Sequence, residues 1–384
     1  RSTLFPYTTL FRSSIGGKVV PIDYVKSIGD DSVYLFKQGD RLLCCHADDE
    51  LIPVAGMGDN ANIDNLPPSL ETWLGEYAAE VEWWQEVGCK FGVDEGAASN
   101  NSRESIPALV PTKWAQGNPY NTNLTFDGKT SLVGCAAVAI GQILYYWATR
   151  GYHRGCMATK AYKTRTNLYD VAALSPLTVF DYVHLTAKKP TTKTNINAVA
   201  TMLEYVGKAL QSDYAVGSTS VYTNMIVPVL RDYLRMGKHI KEIYSAYTTV
   251  SNFDDAIYNE LAKHNPVVLF GTGERGGHFF VCDGYDAQTD FYHMNFGWGG
   301  SCDGYYAMSA LNPNNKNYNS RKRAYVGICP DYILGDVNGD GEINVTDIAQ
   351  VVQDAGTGKY SIEADVNSDN RRSEERRVGK ECRS

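Results

Sequence analysis

The chain has 384 residues, 44 of them acidic and 36 basic, for a net charge of −8. That balance argues against a nucleic acid or an anionic membrane surface as partner, and no stretch reaches the roughly 18 consecutive apolar residues of a bilayer-spanning helix. With 43 % hydrophobic residues, 26 Tyr and 35 Gly, the composition is that of a loop-rich globular protein without a low-complexity tract.

The two ends differ in character from the rest. "RSTLFPYTTLFRS" (1–13) and "RSEERRVGKECRS" (372–384) are encoded by the two strands of one sequencing-library adapter, so both are expected to be artefacts outside the fold. Each carries a net +2, which leaves 14–371 near −12; both ends of that segment are expected to be truncations. Cysteines 44, 45, 89, 135, 156, 282, 302 and 329 remain once Cys382 is set aside; none forms a CxxC pair, so a zinc knuckle is not expected.

Residues 14–66 read as short strands and turns: "KVVPIDYV", "SVYLFKQGD" and "RLLCCHADDELIPVAG". "PPSLETWLGEYAAEVEWWQEVG" (67–88) opens with prolines and predicts an amphipathic helix. "CKFGVDEGAASNNSRES" (89–105) is polar and lacks periodicity, as a cleavable linker would; Arg103 is a candidate processing point. "IPALVPTKWAQGNPYNTN" (106–123) is extended and rich in Pro and Gly. An apolar helix from Cys135 follows, then helical segments near 196–211, 222–236 and 253–264. Strand signals dominate at 267–271, 278–286, 291–298, 304–311 and 324–330. Helices first and antiparallel strands later predict an α+β fold.

Cys135 alone reads as a buried core thiol rather than a nucleophile, since "CAAVAIGQILYYW" is almost wholly apolar. A helix N-terminus and a nearby imidazolium would instead favour its thiolate. His278 follows Gly276-Gly277, where a substrate backbone could approach closely. Asn295 is an amide suited to holding the imidazole in one tautomer. Gln116, nineteen residues before the cysteine, could donate to an oxyanion beside the Cys135 N–H. The chain order Cys, His, Asn, with 143 residues between the first two, fits papain-like thiol proteases.

"WAQGNPYN" (114–121), "GCAAVAIGQILYYW" (134–147), "GGHFFVCDGYD" (276–286), "FYHMNFGWGGSCDGYYAMSALNP" (291–313) and "VGI" (326–328), in this order, resemble the streptopain family of bacterial cysteine proteases. The resemblance implies Cys135 as nucleophile, His278 as general base, Gln116 as oxyanion donor and Asn295 as the residue orienting the imidazole. Gly277 and Trp298 support the substrate site. It implies protein or peptide substrates, no catalytic cofactor, and an N-terminal pro-segment that inhibits until it is cut away. One position departs: the family has Trp after the orienting Asn, and here Phe296 stands there, which puts that orientation in doubt.

The acidic segment "DVNGDGEINVTD" (336–347) has calcium-loop spacing: Asp336, Asn338, Asp340, Glu342 through its carbonyl, Asn344 and Asp347, with Gly341 at the turn. It resembles a dockerin type I repeat, which implies structural calcium and a cohesin partner. A second loop begins with Asp365, Asn367 and Asp369 and is interrupted by the C-terminal peptide, so poor docking of this chain is expected.

The organisation read from the sequence is a pro-domain and linker (14–105), a papain-like two-subdomain α+β protease domain (106–332), and a truncated dockerin (333–371) forming a small α calcium-loop module. The expected function is that of a secreted cysteine endopeptidase zymogen tethered to a cohesin-bearing scaffold. The alternative is a catalytically weak, protein-binding relative, for which Phe296 is the sole sequence feature.

Overall fold

The computed structural model describes residues 22–46, 54–87, 103–152, 156–175, 180–245, 248, 250–273, 276–308, 322–330 and 345–357. Four N-terminal strands form a meander: β1 (Asp23–Ile28), β2 (Val33–Gln38), β3 (Arg41–His46) and β4 (Val54–Gly58). Helix α1 (Pro68–Val87) follows. Its proline pair needs no N–H in the first turn, and Glu71 N donates to Pro67 O at 3.0 Å. Leu70, Leu74, Tyr77, Ala78 and Val81 are its buried stripe.

Two small hairpins, β5–β6 (Thr125–Phe126, Lys129–Thr130) and β7–β8 (Tyr162–Lys163, Asp170–Val171), flank α2 (Cys135–Ala148). Helix α3 (Lys193–Ala209) is capped by Thr192, whose side chain accepts from Asn195 N. The helix expected at 222–236 is broken: a 3₁₀ turn (Thr223–Met225), α4 (Ile226–Pro228) and a π turn (Val229–Tyr233) succeed one another. Pro228 lacks the N–H that a regular helix would use there. Strand β9 (Lys241–Tyr244), helix α5 (Val250–Ala262) and strands β10 (Val267–Gly273), β11 (Gly276–Asp286), β12 (Phe291–Asn295), β13 (Gly304–Ala307) and β14 (Arg323–Val326) complete the body. Helix α6 (Val345–Thr357) is the helix expected after the acidic loop. The calcium-loop residues Asp336, Asn338, Asp340, Glu342 and Asn344, and Asp365, Asn367 and Asp369, lie outside the described residues, as does the Asp347 side chain.

One sheet of ten strands, ordered β1-β2-β3-β4-β13-β12-β11-β10-β14-β9, runs through the molecule. Its two faces bury different helices. On β10 and β11, Val268, Phe279 and Val281 join the core around α2 and α3. Val267, Leu269 and Cys282 join the core around α1 and α5. This alternation is what a strand covered on both faces requires. Among the described residues no helix is long and apolar enough to cross a membrane, and Cys44, Cys45, Cys135, Cys282 and Cys302 are free thiols.

The N-terminal meander joins the rest through β4 and β13, with Gly58 opposite Gly304 and Gly56 opposite Tyr306. The seam needs its glycines. A Cβ at Gly304 would lie 2.0 Å from Met57 O, and one at Gly56 would lie 2.2 Å from the Tyr306 ring. Trp73 of α1 closes over the same ring at 5.3 Å, edge to face. Gly304→Ala, made in an uncut Cys135→Ala chain, is therefore expected to cost about 1–3 kcal/mol. Urea denaturation measures it, and an unchanged midpoint would mean that the meander is not joined to the rest of the sheet at this seam.

Candidate active site

The site is built at the mouth of α2. Gly134 precedes the helix with φ 95° and ψ 142°, a left-handed backbone where a Cβ would lie 3.0 Å from Thr219 Cγ2. Hydrogen bonds hold the approach from both sides. Val133 N donates to Gln116 O at 3.0 Å, and Leu132 N to Ala215 O at 3.0 Å, while Thr219 Oγ1 donates to Leu132 O at 2.7 Å. Gln116 is thus placed next to the cysteine turn by its backbone, with its side chain half-buried. Twelve of the fourteen α2 residues are buried; Cys135 is only half-buried, at the positive end of the helix.

His278 lies on β11, 4 % exposed, and hydrogen-bonds the Cys135 thiol. Burial pushes the thiol up, but the facing imidazolium, its hydrogen bond and the Phe279 and Ala136 backbone bring it below the ordinary thiol range. Burial pushes His278 down, and the facing thiolate together with a backbone carbonyl raise it above the ordinary histidine range. Each group therefore stabilises the charged form of the other.

That carbonyl belongs to Phe296: His278 Nε2 donates to Phe296 O at 3.0 Å, which leaves Nδ1 available to the thiol. Asn295, expected from the sequence to touch the imidazole, has other partners. Its Oδ1 accepts from Gln142 Nε2 and Gly297 N, both at 3.1 Å, and its Nδ2 donates to Thr112 O at 2.7 Å. The orienting acceptor is the next residue's backbone because the Asn295 side chain is fully buried within the body instead. The Phe296 ring packs on Phe280 (5.4 Å) and Tyr306 (5.6 Å), in the wall of a cleft that Trp73 also lines. Position 296 serves the imidazole through its carbonyl, so an indole N–H is not needed for that bond.

Several residues at the site have no role in the sequence reading. Asp303 fixes the preceding peptide, accepting from Phe296 N at 2.9 Å and pairing with Lys113 at 2.9 Å. Gln142 and Thr112 complete the Asn295 contacts, and Thr112 Oγ1 donates to Gln142 Oε1 at 2.9 Å. The available signal was Gln142 itself, a lone amide in an apolar helix. Gly277 is exposed next to His278, and a Cβ there would lie 2.4 Å from the Phe270 ring. Trp298 is half-buried, and its indole nitrogen has no hydrogen-bond partner among the described residues.

Arg103, read from the sequence as a point of cleavage, is bound to the body. Its side chain is 14 % exposed, paired with Asp254 at 2.6 Å and with Asp255, bonded to Tyr292 Oη at 3.2 Å and set 4.5 Å over the Tyr258 ring. Ile106 and Tyr285 then exchange backbone hydrogen bonds at 2.7 and 2.8 Å.

Comparison with known proteins agrees with this architecture. The Peptidase C10 family profile matches residues 114–306, half of the chain, and the Dockerin type I profile matches 334–374. The thiol protease/hemagglutinin PrtT of Porphyromonas gingivalis is 25 % identical over 334 residues, 77 % of this chain and 37 % of that protein. Streptopain of Streptococcus pyogenes is 28 % identical over 254 residues, 59 % of this chain and 63 % of its own length. The chain therefore spans about a third of the first and under two thirds of the second. Prevotella intermedia prointerpain A shares the fold at TM-score 0.69 and 24 % identity, over 82 % of this chain and 100 % of that fragment. Active interpain A matches at TM-score 0.51 and 27 % identity, over 59 % of this chain and 95 % of its own.

The electrostatics set the sign of the pH response. Reactivity of Cys135 rises as the thiol ionises and falls as His278 loses its proton. Inactivation by a thiol-directed epoxide should therefore be bell-shaped in pH, its acid limb below the usual thiol value of about 8.5 and its alkaline limb above the usual histidine value of about 6.5. In His278→Ala, burial acts on the thiol with only the backbone hydrogen bonds against it, and the acid limb should move up toward the usual thiol value of about 8.5 or beyond. Inactivation that follows one profile in both proteins would remove the pair.

Proposed function

The chain belongs to the Peptidase C10 family of cysteine endopeptidases, and from that premise we propose that it is a zymogen whose Cys135–His278 pair hydrolyses peptide bonds in protein substrates outside the cell. The observation that carries this reading is the half-buried thiol at the α2 N-terminus, hydrogen-bonded to His278 and lowered by it. The Cys135 thiolate adds to the scissile carbonyl carbon, forming a C–S bond and a tetrahedral oxyanion beside the Cys135 N–H and the Gln116 amide. Collapse expels the amine, which takes the His278 proton, and leaves a thioester. His278 then accepts a proton from water, which attacks the thioester and releases the acid and the thiol. Phe296 does not favour the weak-binder alternative, because the bond to His278 is made by its backbone.

Residues 22–87 act as the pro-domain in this reading. Support comes from coverage: the pro form of interpain A matches 82 % of the chain in fold, the active form 59 %. The maturation cut falls N-terminal to Arg103, whose guanidinium is held by Asp254 and Asp255. Purified wild-type chain should label at Cys135 with the epoxide and cut itself; Cys135→Ala should do neither. Mass spectrometry of the product should find an N-terminus at or before residue 103. A wild-type chain that neither labels nor self-cuts overturns the protease reading, and an N-terminus beyond 103 overturns the boundary.

The dockerin segment would attach the enzyme to a cohesin on a scaffold, with calcium as its structural ion. Asp336, Asn338, Asp340, Glu342, Asn344 and Asp347 would hold the ion through hard oxygen donors, and α6 begins at Val345, inside that loop, as the helix such a loop leads into. Calorimetric titration with calcium should give a binding isotherm that Asp336→Ala abolishes. Equal heats from the two proteins would remove the calcium site.

A further inference from the structure

We propose that Gln142 is a positioning residue for proteolysis, tying the helix that bears the nucleophile to the loop that orients the histidine; this rests on the Cys135–His278 reading above. Gln142 lies seven residues after Cys135 on α2 and is fully buried in an otherwise apolar helix. A buried amide in such a place is costly unless its hydrogen bonds are met.

They are met by a closed ring of three residues from three segments. Thr112 Oγ1 donates to Gln142 Oε1 at 2.9 Å, Gln142 Nε2 donates to Asn295 Oδ1 at 3.1 Å, and Asn295 Nδ2 donates to Thr112 O at 2.7 Å. Asn295 Oδ1 also accepts from Gly297 N at 3.1 Å, and so holds the far side of the Phe296–Gly297 peptide. The oxygen of that peptide is the one His278 Nε2 bonds. A path of hydrogen bonds therefore runs from the cysteine helix, through Gln142 and Asn295, to the imidazole. Neither Gln142 nor Asn295 needs to touch substrate for either to set the angle of the pair.

The chemistry of the ring singles out one substitution. In Gln142→Glu, a neutral carboxylic acid keeps an acceptor for Thr112 and a donor for Asn295 Oδ1. Once ionised, it presents only acceptors to an acceptor, and the ring opens. Asp303, with Lys113, is the ionisable residue bonded to the adjoining Asn295–Phe296 peptide through Phe296 N, and it is common to wild type and variant. A titration limb found only in the variant therefore belongs to position 142.

Kinetics of the self-processed chain on a peptide substrate test this. Gln142→Leu should lower kcat by about tenfold to a hundredfold with KM nearly unchanged, the scale on which a small misplacement acts. Gln142→Glu should approach wild-type kcat at acidic pH and lose it as pH rises, along a limb that wild type lacks. Circular dichroism and melting at both pH values check that the variants stay folded. Should Gln142→Leu not fold, the near-isosteric neutral glutamic acid form decides. Folded variants with wild-type kcat and pH profile would overturn the positioning role while leaving the protease reading intact. A wild-type chain that the epoxide does not label would overturn the protease reading itself.

Discussion

A thiol and an imidazole drawn from positions 135 and 278 can both be charged in a largely water-excluded place only while each faces the other. Burial opposes both charges: it raises the thiol and lowers the imidazole. Their mutual attraction and hydrogen bond reverse both effects, and they do so only at short range and in one orientation. Much of the surrounding structure can be understood as what keeps that orientation. Gly134 admits the sharp turn into α2, the helix adds its positive end, and the Phe296 carbonyl fixes the tautomer of His278. Asn295 then holds the peptide that carries this carbonyl, through Gly297 N, and Asp303 holds the preceding one, through Phe296 N.

The same sheet that carries His278 also carries the N-terminal meander. Because β4 is hydrogen-bonded to β13, the meander is a continuation of the body and not a separate module laid on it. The contact is made mainly by backbone, at glycines, with Tyr306 seated between Gly56 and Trp73. Backbone pairing of this kind gives affinity with little demand on side-chain identity. It also leaves the apolar residues of the sheet, Leu269, Met294 and Phe296, under α1. Removing such a cover would expose a large apolar face, an unfavourable change that favours retention of the meander until something else compensates.

Most helices and strands of the body were legible because their apolar periodicity is strong: α1 falls within a residue of its expected bounds, and the strands from 267 onward begin close to where expected. Strand β9 was not, since "KEIY" is a short edge strand with two charges and no clean alternation. The continuous sheet was not legible either, because the pairing of Gly56 and Gly58 with Tyr306 and Gly304 joins segments far apart in the chain and leaves no local signal. At the site, the order of Cys135, His278 and Asn295 identified the chemistry, and the structure brings the first two into contact. Sequence spacing alone does not decide whether an amide meets a ring with its own side chain or through the next peptide. That choice depends on where the Asn295 side chain finds better partners, and Gln142 and Thr112 provide them inside the body.

Arg103 illustrates the same limit in the opposite direction. Among small and polar residues, an arginine resembles an exposed protease target, and nothing nearby in the sequence hints at a partner. Its partners, Asp254, Asp255, Tyr258 and Tyr292, come from a helix and a strand more than a hundred residues away. A guanidinium with two carboxylates and an aromatic face is held by directional, charge-assisted contacts. From there the chain runs along β11, bonding Tyr285 and then Asp283 through Ile106, Leu109 and Val110. The next residues on that path are Thr112 and Lys113, which reach the Gln142 ring and Asp303. The segment that begins at the arginine therefore ends among the hydrogen bonds around His278. A strap anchored at one end by half-buried ion pairs and at the other by the loop beside His278 belongs mechanically to the body, and this supports the proposed boundary before it.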